Sequence, residues 1–182
     1  MIAIRRATLD DAEGLARLAE GIFRDTFATA DNRSDLDLYC AKSFGIEIQQ
    51  QEILDANSVT LLAEMEDQPI GFAHILLQAP NVSVSANQPS ELRRLYVEKE
   101  WHGRGVAKEL MPHILSVVAH SGSDHIWLGV WEHNPRAIAF YQKHGFEVAG
   151  EHVFQFGNDP QRDLIMISKV NESFASSDSQ II

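Results

Sequence analysis

Along this chain the apolar positions switch repeatedly between a two-residue and a helical period, and each switch marks an element. Residues 2–7 alternate and read as a first strand. Thr8 followed by Asp11 has capping-box spacing and opens a helix. In that helix Leu9, Ala12, Leu15, Leu18, Ala19, Ile22 and Phe23 recur at helical spacing and are expected to face the core. Ser34 with Asp37 repeats the cap pattern ahead of a second helix near 36–44, and a short third helix is expected over 46–55. Residues 58–64 and 70–77 read as a hairpin joined by Asp67, Gln68 and Pro69. Two prolines and two asparagines make 79–90 a loop.

The second half continues the alternation. Residues 91–97 read as strand and 104–120 as helix. Residues 126–131 are apolar nearly throughout, which predicts a buried strand. The helix expected over 135–144 has Asn134 as its cap and Pro135 at its first position. Strands over 146–156 and 163–168 follow. The serine-rich segment 171–182 is expected to be a disordered tail. That leaves residues 1–170 as one α/β domain, with no repeat or linker.

Composition narrows the class. At 45% hydrophobic and 23% charged the chain is ordinary globular protein. A lone cysteine, Cys40, excludes an internal disulfide framework and suits a reducing compartment. The first residues lack the apolar core of a secretory signal, and no run approaches 18 apolar residues, so a cytoplasmic location is expected. Fifteen basic against 26 acidic residues give a net charge of −11. Such a surface repels nucleic acid; it either serves solubility alone or also steers cationic small molecules.

Two segments carry the candidate chemistry. In ELRRLYVEKEWHGRGV, from Glu91 to Val106, a strand runs into a glycine turn and then a helix. Gly103 and Gly105 remove side chains where backbone would approach a ligand, Ala107 keeps the next turn thin, and free amides at the helix start form an anion site. An ordinary tight turn would look the same. In NPRAIAFYQKHGF, from Asn134 to Phe146, Tyr141 reads as a core aromatic or a proton donor, and Asn134 as a helix cap or a ligand contact.

Together, in this order, the two segments resemble the signature motifs of the GNAT superfamily of acetyl-CoA-dependent N-acetyltransferases. The resemblance runs from the first strand to about Lys169. It is nearest to bacterial enzymes of the spermidine/spermine type, on FRDTF at 23–27, ELRRLYV at 91–97, IWLGVWEHNPRAIAFYQKHGF at 126–146 and DLIM at 163–166. It implies a mixed, mostly antiparallel central sheet with helices on both faces. It also implies acetyl-CoA as co-substrate, with its pyrophosphate at His102, Gly103, Arg104, Gly105, Val106 and Ala107. His102 stands where the family pattern has Gln or Arg. The resemblance further implies pantetheine pairing with the backbone of Leu95, Tyr96 and Val97, Asn134 near the cofactor arm, and Tyr141 as the acid that protonates the departing thiolate.

A lysine-like amine is neutral in only about one molecule in a thousand at pH 7, so something must take its proton. Glu91, 11 residues before His102 where some family members place a catalytic glutamate, is the first candidate. Glu98, His74 and His133 follow. Asp25, in the acceptor-side FRDTF segment, either meets a cationic amine or is a solvated helix residue. The eight histidines include no HExxH pair, and Cys40 has no partner, so no metal is expected. The expected activity is acetyl transfer to the primary amine of a small cationic acceptor such as a polyamine. A protein N-terminus or lysine is the alternative acceptor, and a non-enzymatic acyl-CoA-binding regulator the alternative class. Expected partners are the small-molecule amine alone, with no nucleic acid and no membrane, and a homodimer stays open.

Overall fold

The structure is a computed structural model that describes residues 1–27, 33–156 and 159–171. The segment expected as a tail falls, from residue 172, outside the described residues. In chain order the elements are β1 (Ala3–Arg6), a 3₁₀ turn (Leu9–Asp11), α1 (Ala12–Phe27), α2 (Arg33–Ser43), α3 (Ile46–Leu54), β2 (Ser58–Met65), β3 (Gln68–Leu76) and β4 (Pro89–Val97). After a second 3₁₀ turn (Lys99–Trp101) come α4 (Val106–His120), β5 (His125–Trp131), α5 (Pro135–Lys143), β6 (Glu147–Phe156) and β7 (Asp159–Lys169). The strands form one seven-stranded sheet in the order β1-β2-β3-β4-β5-β7-β6. Every neighbouring pair is antiparallel except β4 with β5.

Helices cover both faces, so the inner strands are apolar on both sides. Val59, Leu61 and Ala63 of β2 and Ala73 and Ile75 of β3 pack under α4 with Leu110, Met111 and Ile114. Leu62 and Phe72, pointing the other way, pack under α1 and α2 with Leu15, Phe23, Leu36, Cys40 and Phe44. The capping box forms: the Thr8 N–H donates to Asp11 Oδ2 at 2.7 Å. Arg5 then ties the same carboxylate and that of Glu64 to β1.

Four expectations need correction. Leu9 lies in the 3₁₀ turn ahead of α1 and is 46% exposed. Arg33 is already helical, which puts Ser34 inside α2 rather than ahead of it. The hairpin turns on Glu66 and Asp67, both with positive φ (52° and 60°), and Pro69 belongs to β3. A two-residue loop of that hand matches the strand twist, and here it is built without glycine. Last, α4 begins at Val106, so Arg104 and Gly105 belong to the turn before it.

Two irregularities prepare the site. The β3–β4 register steps from His74↔Arg94 to Ile75↔Leu92, leaving Arg93 as a bulge. The parallel β4–β5 pairing covers only Pro89↔His125, Ser90↔Ile126 and Glu91↔Trp127. Beyond Glu91 the two central strands separate, because a bulge bends its strand and increases the local twist.

Candidate active site

The gap between β4 and β5 has one edge lined by main-chain groups. Glu98 N–H donates to the Ile70 carbonyl of β3 at 3.0 Å. By strand alternation, the amides of Leu95 and Val97 then point away from β3, into the gap. Gly71 permits the tight β3–β4 approach: a Cβ there would stand 2.8 Å from the Tyr96 carbonyl oxygen. Leu95, Tyr96 and Val97 thus form a strand edge with room for an extended ligand to pair.

The edge runs into the glycine turn. Gly103 and Gly105 have φ of +76° and +90°, the left-handed region that a side chain disfavours. A Cβ at either would meet nothing within 4 Å, so both face open space. Gly105 is the N-cap of α4 and brings no side chain to cap it. The amides of Val106, Ala107 and Lys108 therefore have no intrahelical acceptor and carry the positive end of the helix dipole. Arg104 swings aside, its guanidinium 5.3 Å from the Trp101 ring centroid. Such an arrangement can hold an anionic group such as a pyrophosphate.

His102 is held on both sides. Its Nδ1 lies 2.7 Å from Arg136 Nη1, and its Nε2 lies 2.8 Å from the Val97 carbonyl oxygen. A guanidinium only donates, so Nδ1 accepts, and the ring proton sits on Nε2 and is donated to Val97. The imidazole therefore ties the end of β4 to the first turn of α5, across the mouth of the gap. Arg136 had no signal in the sequence beyond a charge on a helix. A cavity of about 230 Å³ opens here, lined by Ile22, Asp25, Thr26, Val97, Lys99, His102 and Arg136. The structure thus brings Asp25 together with Val97, His102 and two cations, in a cavity that Glu91 does not line.

Tyr141 reaches the sheet from α5. It is buried beside Phe140 and Phe146, in the cluster that also holds Leu128 and Val130 of β5. Its hydroxyl has no hydrogen-bond partner among the described residues, and burial pushes its pKa well above the ordinary phenol value. Tyr96 is raised in the same way, and Tyr141 bears on it electrostatically. Such a phenol stays protonated across the physiological range and can donate. Asn134 forms the expected cap, its Oδ1 accepting from Ala137 N–H at 3.2 Å.

The candidate bases differ in accessibility. Glu91 is half-buried at the start of the gap and paired with Arg93 at 2.9 Å. Glu98 follows β4, its carboxyl raised by burial and then by Glu100 and Asp25. His74 is 1% exposed, its Nδ1 2.9 Å from Thr60 Oγ1, and burial lowers its pKa to about 4, so it belongs to the core. His133, exposed after β5, stands edge-on to Trp131. A larger hollow of about 530 Å³, lined by Ser83, His125, Glu147 and Lys169 among others, lies at the opposite end of β5 and contains none of the expected site residues. Among the described residues no three His, Cys, Asp or Glu side chains converge as metal ligands would, and no helix is long and apolar enough to cross a membrane.

Comparison with known proteins accords with this geometry. The family model described as "Acetyltransferase (GNAT) family" matches residues 17–146. An uncharacterized N-acetyltransferase of Lactobacillus delbrueckii subsp. lactis is 26% identical over 166 residues, 91% of this chain and 95% of the relative. Two more distant relatives carry acceptors in their names. A peptidyl-lysine N-acetyltransferase of Salmonella typhimurium is 24% identical over 82% of this chain and 86% of its own. A probable spermine N(1)-acetyltransferase of Bacillus subtilis subsp. natto is 29% identical over 47% of this chain and 57% of its own. Among solved structures, the PaiA N-acetyltransferase of Thermoplasma acidophilum in complex with coenzyme A superposes with a TM-score of 0.75. It is 23% identical over 93% of this chain and 99% of that one, a likeness of fold.

Proposed function

Because the chain belongs to the acetyltransferase (GNAT) family, we propose that it passes the acetyl group of acetyl-CoA directly to a primary amine of a small cationic acceptor, a polyamine fitting best. The observation that carries this reading is the gap between β4 and β5, with main-chain amides along one edge, an anion cradle at its mouth and the Tyr141 phenol in the packing beside it. Acetyl-CoA supplies the acetyl group as a thioester. The amides of Val106 and Ala107 hold its pyrophosphate, and those of Leu95 and Val97 align its arm. The Val97 amide is also positioned to polarise the thioester carbonyl.

The acceptor must be neutral to attack, so a base takes one proton from the ammonium, Glu91 directly or through water. The nitrogen lone pair forms the new C–N bond and the C–S bond breaks, its electron pair going to sulfur. Tyr141 gives its proton to that sulfur and is reprotonated from the nitrogen's surplus proton by way of solvent. Holding both reactants in one cleft supplies much of the acceleration.

The cationic acceptor is supported by the net charge of −11 and by the relative named as a spermine acetyltransferase. The relative named for peptidyl-lysine favours a lysine side chain as the second reading. Acetyl-CoA turnover across spermidine, spermine, amino acids, aminoglycosides and lysine peptides, read as free thiol, decides between them. The highest kcat/KM should fall on the polyamines. A preference for peptides or neutral amines would overturn the polyamine and leave acetyl transfer standing.

A further inference from the structure

The face of the sheet that carries α1–α3 has an opening where β5 should be covered. Gly129 is exposed, although its neighbours Leu128 and Val130, which point to the other face, are buried. Trp127 and Trp131 flank it on the same side of the strand. The partner of Trp131 across the β5–β7 ladder is Asp163, which shares that face. Asp163 leans over the opening: its Oδ2 lies 3.6 Å from the point a Cβ on Gly129 would occupy. Phe27 supplies a further wall, its ring centroid 6.0 Å from that of Trp131.

Asp163 is also anomalous in its pairing. The nearby carboxylates Glu132 and Glu151 are both taken by Arg162. The Asp163 side chain has no hydrogen bond or ion pair among the described residues. Among the described residues the ionisable group bearing on it is His152, its partner on β6, whose Cε1 comes within 3.8 Å of the same point above Gly129. Burial raises the Asp163 carboxyl above the usual range. A half-buried, unpaired carboxylate costs stability unless something cationic completes it.

We propose that Asp163, walled by Trp131 and Phe27 above the exposed Gly129, binds the second, still-charged nitrogen of a diamine or polyamine acceptor and so determines acceptor specificity. The reacting nitrogen must be neutral, so the carboxylate's partner is the nitrogen that does not react. A carboxylate among aromatic faces is a receptor for an ammonium group. The inference rests on the acetyl-transfer reading and adds to it the residue that selects the substrate.

The test compares the parent with Asp163→Asn and Gly129→Val, using spermidine and butylamine as acceptors, with acetyl-CoA affinity and thermal melting measured on each. Asp163→Asn removes the charge and keeps the shape. It should lower the preference for spermidine over butylamine by about 10- to 100-fold, acting through the spermidine KM, with acetyl-CoA affinity unmoved. Gly129→Val fills the opening and should likewise raise the spermidine KM in a folded protein. If the parent acetylates amines and Asp163→Asn keeps the parent's preference, the inference fails while the acetyl-transfer reading stands. If the parent releases thiol with no amine, the functional reading itself fails, and this inference with it.

Discussion

At His102 a single side chain has to offer one donor, to the Val97 carbonyl, and one acceptor, to Arg136. A glutamine can do both through its amide, whereas an alanine can do neither. His102→Gln should therefore stay near the parent. His102→Ala should raise the KM for acetyl-CoA roughly tenfold, the effect of about one lost hydrogen bond to a charged group; an unchanged KM would remove the imidazole bridge from cofactor binding. Tyr141 is a different kind of residue. Tyr141→Phe keeps the ring packing and deletes only the donor, so the melting temperature should hardly move while kcat drops by about 10²–10⁴-fold. A variant within threefold of the parent would take Tyr141 out of the mechanism. Both residues were legible in the sequence as candidates, since their types and spacing were. Their partners were not: nothing in the chain order links residue 102 to residue 136.

At the scale of elements, the glycine turn and the α4 N-terminus act as one unit. Gly105→Asp would bring a carboxylate to the place proposed for the cofactor's phosphates, at a backbone angle that already disfavours a side chain. Gly105→Asn carries a similar backbone burden without the charge. Acetyl-CoA binding by calorimetry should vanish in the first and survive, weakened, in the second. Equal losses would mean that strain, and not anion repulsion, decides. The parting of β4 from β5 is equally an element-level feature. The sequence identified both strands but not the bulge at Arg93, because a bulge is set by hydrogen-bond register with β3 and leaves no mark in hydrophobic alternation.

For the whole molecule, two pH effects have opposite reach. Turnover should rise with pH as acceptor amines lose their protons, and should not fall near pH 10, where an ordinary phenol ionises, because burial keeps Tyr141 protonated. A rate maximum at or below pH 10 in stable protein would contradict that assignment. Stability moves at the acid end. His74 titrates near 6.5 when unfolded and at about 4 in the core, so the unfolded chain binds more protons between those values. The stabilisation is present above pH 6.5 and is lost as pH falls towards 4, by at most about 3 kcal/mol. The melting temperature should drop across that window, and His74→Gln should flatten the slope. The net charge of −11 adds a salt effect: kcat/KM for spermidine should decrease as ionic strength rises, because exposed charges are screened.

Hydrophobic period, caps and turn residues are local, so the order of helices and strands, the glycine turn before α4, the cap at Asn134 and the family motifs could all be read from the chain alone. What needed the tertiary structure was every relation across strands. The sheet order, the point after Glu91 where the central strands separate, and the company of Asp25 with Arg136 depend on register and on long-range packing. Asp163 shows the difference most clearly. In the sequence it was a letter in a family motif at the start of a strand. Only the pairing with Trp131 and the absence of a side chain at Gly129 turn it into a carboxylate at the mouth of an opening.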